Sequence, residues 1–187
     1  MCGFYLSEDR LKELDDLQIY EIRKGIKNGV DISLYDNQKF DWWQMRQIRV
    51  GLEKGLDVKV YSNFKYEWQQ MREIRLGMES EVDITIYTNP MFNHWQMKQI
   101  RWGLEHDINV DLYANPEFNQ IQMYQIREGI INKVDVSIYA TKDFNSGQME
   151  QIRLGLEEGL DVGFYTNPMY STRQMERFRL RLEQELG

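Results

Sequence analysis

At 187 residues, 42% apolar and 28% charged, the chain is long enough to bury a core as one domain spanning 1–187 and charged enough to stay soluble. Its net charge of -7 argues against a general nucleic-acid binder, because neutralising phosphates requires a surplus of Lys and Arg, and it favours another protein as the partner. The single Cys2 excludes an internal disulfide, and neither a signal segment nor a membrane-length apolar run is present, so we expect a cytoplasmic protein without membrane contact.

A 26-residue unit recurs without insertion along nearly the whole chain. Its landmark is a Gln, called here the lead Gln, at positions 18, 44, 70, 96, 122, 148 and 174. Such strict spacing predicts that each unit stacks on the previous one, since one extra residue would displace every later contact. The expected organisation is an N-terminal cap over 1–13, six full repeats over 14–170 and a C-terminal capping helix over 171–187.

Each unit opens on a predicted helix with a clear start. In the second unit Asp41 is followed three residues later by Gln44, the pattern of a capping box, and Phe40 with Met45 forms a hydrophobic staple. Apolar residues then follow at helical spacing, and the helix is expected to run for about 14 residues and end near Gly55.

A second Gly falls inside each predicted helix, at Gly51 in the second unit, where it costs about 0.8 to 1 kcal/mol relative to Ala. We expect it to admit a neighbouring helix so closely that a Cβ would not fit. Arg181 takes this position in the last unit, where no further repeat has to pack.

The short element after each helix allows two interpretations. In the second unit, alternation of Leu56, Val58 and Val60 is typical of a strand, whereas Asp57 as a cap and an early stop are typical of one helical turn. The favoured fold is therefore all-α, a right-handed solenoid of seven 26-residue repeats, each a helix plus a short helical or 3₁₀ segment. The alternative is an α/β horseshoe with one short strand per repeat.

The repeated unit, of the form QMxxIRxGLxxGLDVSxYAxPxF, resembles uncharacterised 26-residue tandem-repeat proteins of Gram-positive bacteria and their mobile elements. It looks more loosely like the leucine-rich variant repeat, through Tyr87, Asn89 and Pro90. Neither resemblance implies a catalytic residue; both imply a solenoid with an extended surface.

Residues that recur in every unit are interpreted as structural. An Arg ladder runs through Arg23, Arg49, Arg75, Arg101, Arg127, Arg153 and Arg179. A structural bond is needed in every unit and a catalytic group only once, so each Arg is expected to bridge to a carboxylate or a carbonyl; an exposed row that binds a polyanion is the alternative. His94 and His106 lack the spacing of metal ligands, and no nucleophile, phosphate loop or cofactor motif is present. We therefore expect no enzyme activity, no cofactor and no metal.

Binding specificity is expected at positions that vary between units. The five tryptophans occupy such positions, and exposed Trp is typical of binding hot spots. The predicted partner-binding residues are Trp42, Trp43, Trp68, Trp95 and Trp102. Residues 37–75 also carry eight Lys and Arg against five Asp and Glu, whereas residues 76–141 carry four against nine, so that the second segment could steer a basic partner. The competing interpretation is that the rings only enlarge the staples at helix ends.

The sequence thus predicts a non-enzymatic protein-binding scaffold. The alternative is an acidic inhibitor, encoded by a bacterial mobile element, that blocks a host nucleic-acid enzyme by stoichiometric binding or by imitating phosphates. The alternative is motivated by the net charge and by the kind of genome that the repeat implies.

Overall fold

The computed structural model describes residues 12–186, and the regular secondary structure in this range is entirely helical. The α-helices are α1 (Asp16–Lys27), α2 (Trp42–Glu53), α3 (Trp68–Glu79), α4 (His94–Glu105), α5 (Gln120–Ile131), α6 (Ser146–Glu157) and α7 (Thr172–Leu186). One-turn 3₁₀ helices lie at Ile32–Leu34, Val58–Val60, Ile84–Ile86 and Val136–Ile138. No strand occurs within the described range, so the horseshoe alternative is wrong there and the all-α prediction is confirmed.

The described residues divide into two compact parts, which are larger than the 26-residue units. They are called here the N-terminal part, which ends at His94, and the C-terminal part, which begins at Trp95. In the N-terminal part α1 packs on α2 and α2 on α3. In the C-terminal part α5 packs on α6 and α6 on α7. Most of the predicted N-terminal cap, and Cys2 with it, lies outside the described residues. Between residues 12 and 186, no helix has both the length and the apolar character needed to cross a bilayer.

The helices start as predicted and end earlier than predicted. Asp41 accepts from the backbone N–H of Gln44 at 2.8 Å, and Gln44 Oε1 accepts from the N–H of Asp41 at 2.9 Å, which completes the capping box. Helix α2 has 12 residues, shorter than the expected 14 or so, because Lys54 already caps it and Gly55 turns the backbone to a φ of 73°.

The lead Gln also makes a bond that the sequence did not predict. While its oxygen caps its own helix, its Nε2 donates to a backbone carbonyl 22 residues later, in the next unit: Gln44 to Tyr66 at 2.7 Å and Gln122 to Phe144 at 2.8 Å. Gln18, Gln70, Gln96 and Gln148 make the same contact. A Glu would cap the helix equally well but has no N–H to donate, which explains why the position holds Gln.

Each short element is held by the side chain that precedes it. Asp57 accepts from the N–H of Lys59 at 3.2 Å, and Asp83 from that of Thr85 at 3.0 Å. Asn109, the one position without a carboxylate, accepts from the N–H of Asp111 at 2.9 Å. The hydrogen-bonding interpretation of this ladder is therefore confirmed.

The helical Gly accommodates a tyrosine of its own unit, so the prediction that it admits a neighbouring helix is wrong. A Cβ on Gly51 would lie 1.9 Å from the hydroxyl of Tyr61, ten positions later in the same unit. This Tyr is fully buried, and its hydroxyl donates to the carbonyl of Gln47 at 3.2 Å. Arg181, at the equivalent position of α7, is exposed.

Burial dominates the properties of these tyrosines. It raises the pKa of Tyr165 to about 12, and it also raises the pKa of Tyr35, Tyr61 and Tyr139. The phenols therefore stay neutral and serve as donors to the helix that they cover.

The Arg ladder joins consecutive helices, which confirms that these residues bridge, although the acceptor on the preceding helix is more often a Gln side-chain oxygen than the expected carboxylate or carbonyl. Arg153 Nε donates to Gln125 Oε1 at 2.8 Å, 28 residues earlier, and its Nη1 donates to Glu157 at 2.5 Å. Arg49 makes the charged version, with Glu21 at 2.6 Å and Glu53 at 2.5 Å. Burial alone would lower the pKa of Arg49, but the hydrogen bonds to both carboxylates outweigh it and raise that pKa.

The last helix carries different residues where other helices bond to the next unit. Arg177 occupies the position that provides the Arg acceptor in Gln47, Gln125 and Gln151, and Arg181 occupies the Gly position. Gln174 and both arginines are exposed.

Gln122→Glu should lower the free energy of unfolding by about 1 to 3 kcal/mol, because a buried carboxylate would face the Phe144 carbonyl without a proton to donate. Gln174→Glu should change it by less than about 0.5 kcal/mol, since Gln174 is exposed. Urea unfolding of both variants measures the difference. Equal losses would show that the donated bond has no role in stability.

Gly155→Ala should cost about 1 to 3 kcal/mol by overpacking, because its Cβ would lie 2.0 Å from the Tyr165 hydroxyl. In a Tyr165→Phe background the same substitution should cost much less, since that oxygen is gone. A double-mutant cycle from urea unfolding measures the coupling. An additive cycle would place the obstruction elsewhere.

Candidate protein-binding site

Three of the five predicted tryptophans meet in the N-terminal part. The ring centroids of Trp42 and Trp43 lie 3.8 Å apart and those of Trp43 and Trp68 lie 4.9 Å apart, both pairs stacked. They lie together because the capping boxes at Asp41 and Glu67 start two adjacent helices at equivalent positions, so that their first turns lie side by side. The result is one indole stack that spans the ends of α2 and α3. All three rings are half-buried.

A cavity of about 380 Å³ adjoins this stack. It is lined by Trp43, Arg46, Gln47, Val50, Trp68, Arg72 and Arg75. Every ionisable residue in that lining is an arginine, so the cavity combines indole faces with guanidinium groups. Trp and Arg are the residue types most enriched in binding hot spots.

The three arginines differ in how far the protein already uses them. Arg75 donates to Gln47 Oε1 at 3.1 Å and pairs with Glu79, so it belongs to the ladder that joins α2 and α3. Arg72 lies 3.3 Å from Glu73, with 52% of its side chain exposed. Arg46 is exposed, lies 5.6 Å above the ring of Trp43 and has no carboxylate partner among the described residues. Arg46 and Arg72 are therefore the cations that a ligand can reach.

This arrangement suits recognition of a partner group. A guanidinium presents N–H donors in a planar fork that matches a carboxylate, and the adjoining indole faces bury apolar surface. From the sequence only Arg75 was singled out, as a ladder member, and the positive charge of segment 37–75 was the one signal for Arg46 and Arg72.

The other two tryptophans lie in the C-terminal part, each with its own neighbours. Trp95 is 50% exposed, with Lys98 Nζ 5.6 Å from its ring centroid. Trp102 is half-buried, with the Arg127 guanidinium 4.0 Å above its ring and His106 stacked on it at 3.9 Å. Trp102 thus contributes to packing through a contact between a cation and an aromatic face.

A single sequence difference explains the Trp102 contact. Most helices place a Glu four residues after the ladder Arg, as Glu157 follows Arg153, whereas α5 has Ile131 there. Arg127 instead pairs with Glu128 at 2.9 Å, reaches Gln99 through Nη1 at 2.5 Å and leaves its buried Nε without a protein partner. The ring of Trp102 supplies a favourable surface for this rotated guanidinium.

A second cavity of about 310 Å³ lies on the last helix, against Gln174, Arg177, Phe178 and Arg181. It lacks an indole ring. Within the described range, no group of three or more His, Cys, Asp or Glu side chains could hold a metal ion, and His94 and His106 form no such group.

The comparisons with known proteins return no relative: no protein-family model, no curated protein and no solved structure matches the chain. The likeness to the 26-residue repeat proteins therefore stays a prediction from sequence, and the site has to be interpreted from its own geometry.

Trp102→Ala should lower the free energy of unfolding of the C-terminal part by about 1 to 3 kcal/mol, because it removes the ring on which the Arg127 guanidinium rests. Ile121→Ala, at a side chain 51% exposed in the same C-terminal part, should change the free energy of unfolding by less than about 0.5 kcal/mol. Thermal and urea unfolding measure both. A neutral Trp102→Ala would return Trp102 to the set of residues available for a partner.

Proposed function

We propose that this chain is a non-enzymatic, cytoplasmic protein-binding scaffold and that its working surface is the indole stack of Trp42, Trp43 and Trp68 with the adjoining arginine-lined cavity. The single observation that supports this most directly is the composition of the cavity, which pairs two indole rings with three guanidinium groups. Such a surface exceeds what stacking requires, because the equivalent positions of α5 carry Gln120 and Ile121 instead.

The same proposal includes the architecture: a right-handed solenoid of seven 26-residue repeats. Its support is the regular start of the helices, at residues 16, 42, 68, 94, 120, 146 and 172, and the constant separations of 22 and 28 residues in the bonds of the lead Gln and the ladder Arg. A scaffold of this kind commits its repeated residues to stacking and leaves the variable ones for recognition.

The acidic inhibitor is a second candidate, favoured by the net charge of -7. In that case the acidic surface rather than the indole stack would contact a host enzyme, and a nucleic acid substrate would compete with the protein. Competition with strong salt dependence would favour this candidate over the scaffold.

The test begins with affinity capture from host cells, followed by purification of the captured protein and calorimetry against defined variants. Trp43→Ala/Trp68→Ala should weaken binding by about thirtyfold or more, as expected for hot-spot residues, while helical content is retained. Gln120→Ala/Ile121→Ala, at the equivalent positions of α5, is the matched control and should bind like the wild type. A partner that binds the tryptophan variant normally would contradict the proposed surface.

A further inference from the structure

We infer that the occupant of the arginine-lined cavity is an acidic segment of a protein partner, with its carboxylates on Arg46 and Arg72 and an apolar or aromatic side chain against Trp43 and Trp68. This inference rests on the proposed function and names the partner's chemistry. The sequence alone favoured a partner with a basic face, because most of the chain is acidic, but the cavity itself has the opposite charge.

The charge of the lining gives the first argument. Its ionisable residues are Arg46, Arg72 and Arg75, and no carboxylate contributes to it. Two of these arginines already have carboxylate partners, since Arg75 pairs with Glu79 and Arg72 with Glu73. Arg72 keeps 52% of its side chain exposed while it contacts the buried Glu73 at 3.3 Å, so part of its guanidinium stays accessible to a ligand. Incoming carboxylates can therefore bind Arg46 directly and bind the exposed side of the Arg72 guanidinium, whose planar fork carries several N–H donors.

The geometry of the guanidinium groups gives the second argument. Arg75 is bound through Nε to Gln47 and through Nη1 to Glu79, which fixes the floor of the cavity between α2 and α3. Arg46 and Arg72 are both exposed and stand two residues after the lead Gln of adjacent helices. Two forks at equivalent positions of neighbouring helices suit two carboxylates on one extended segment better than a single anion.

The choice of a peptide over a nucleic acid follows from the surroundings. Single-stranded nucleic acids also combine aromatic stacking with cationic contacts, but they require a positive groove that tracks several phosphates. Here the cavity offers only two exposed guanidinium groups, those of Arg46 and Arg72, in a chain of net charge -7. A short acidic segment needs only local complementarity, and its own charge is too small to be repelled strongly at physiological salt.

The probes are an acetylated, amidated Glu-Glu-Tyr-Glu-Glu peptide, the same peptide with Gln in place of each Glu, and a short single-stranded thymidine oligonucleotide. Titration is followed by the fluorescence of the tryptophans and by the NMR signals of their indole N–H groups. The acidic peptide should bind saturably and shift the indole signals of Trp43 and Trp68, whereas the Gln peptide should bind at least about tenfold more weakly, because it lacks the charge-assisted bonds.

Two variants with the same change in net charge separate the cavity from general electrostatics. Arg46→Gln/Arg72→Gln should weaken binding of the acidic peptide by about tenfold or more, and Arg177→Gln/Arg181→Gln, at the cavity on the last helix, should leave it within about twofold of the wild type. Equal weakening by both variants, no binding of the acidic peptide, or tighter binding of the oligonucleotide would each overturn the inference.

The captured partner then distinguishes this inference from the proposed function. A partner that loses affinity for Trp43→Ala/Trp68→Ala but binds Arg46→Gln/Arg72→Gln like the wild type would overturn the acidic segment and leave the protein-binding surface in place. A partner indifferent to the tryptophans would overturn both.

Discussion

The two-sided bond of the lead Gln is the interaction on which the described structure depends. One primary amide closes the capping box of its own helix with its oxygen and holds the following unit with its nitrogen, as Gln44 does for Asp41 and Tyr66. Local helix initiation and the attachment of the next unit are thereby linked in a single side chain. Because the amide is buried, both bonds form away from competing water, where an unmade bond is costly.

Around this bond, each unit adds two further contacts of different reach. The Gly and Tyr of one unit pack on each other, which fixes the short element against its own helix. The ladder Arg reaches the preceding helix and a carboxylate of its own, which fixes one helix against another. The positions that vary between units do not take part in these contacts. In the N-terminal part they supply the indole stack and the two exposed arginines.

The sequence predicted what depends on neighbours along the chain more fully than what depends on neighbours in space. The caps at Asp41 and Asp57 follow from residue types at short spacing, and both were predicted. The partner of Gly51 was not, since a repeat reveals that a residue recurs but not whether it contacts its own unit or the next. For the same reason the cavity was not predicted. All five tryptophans were assigned to one surface, although the indole stack contains three of them, and the sole signal for Arg46 and Arg72 was the positive charge of their segment.

The substitutions on the last helix have a consequence for association between copies. A chain whose units bond in one direction presents a donor at one end and an acceptor at the other, the condition for head-to-tail filaments. Here an exposed Arg23 approaching the last helix of another copy would find Arg177 where the other helices offer Gln or Glu, and Arg181 where they offer Gly. Two cations would then meet without an acceptor, so like-charge repulsion on α7 opposes this head-to-tail contact between copies.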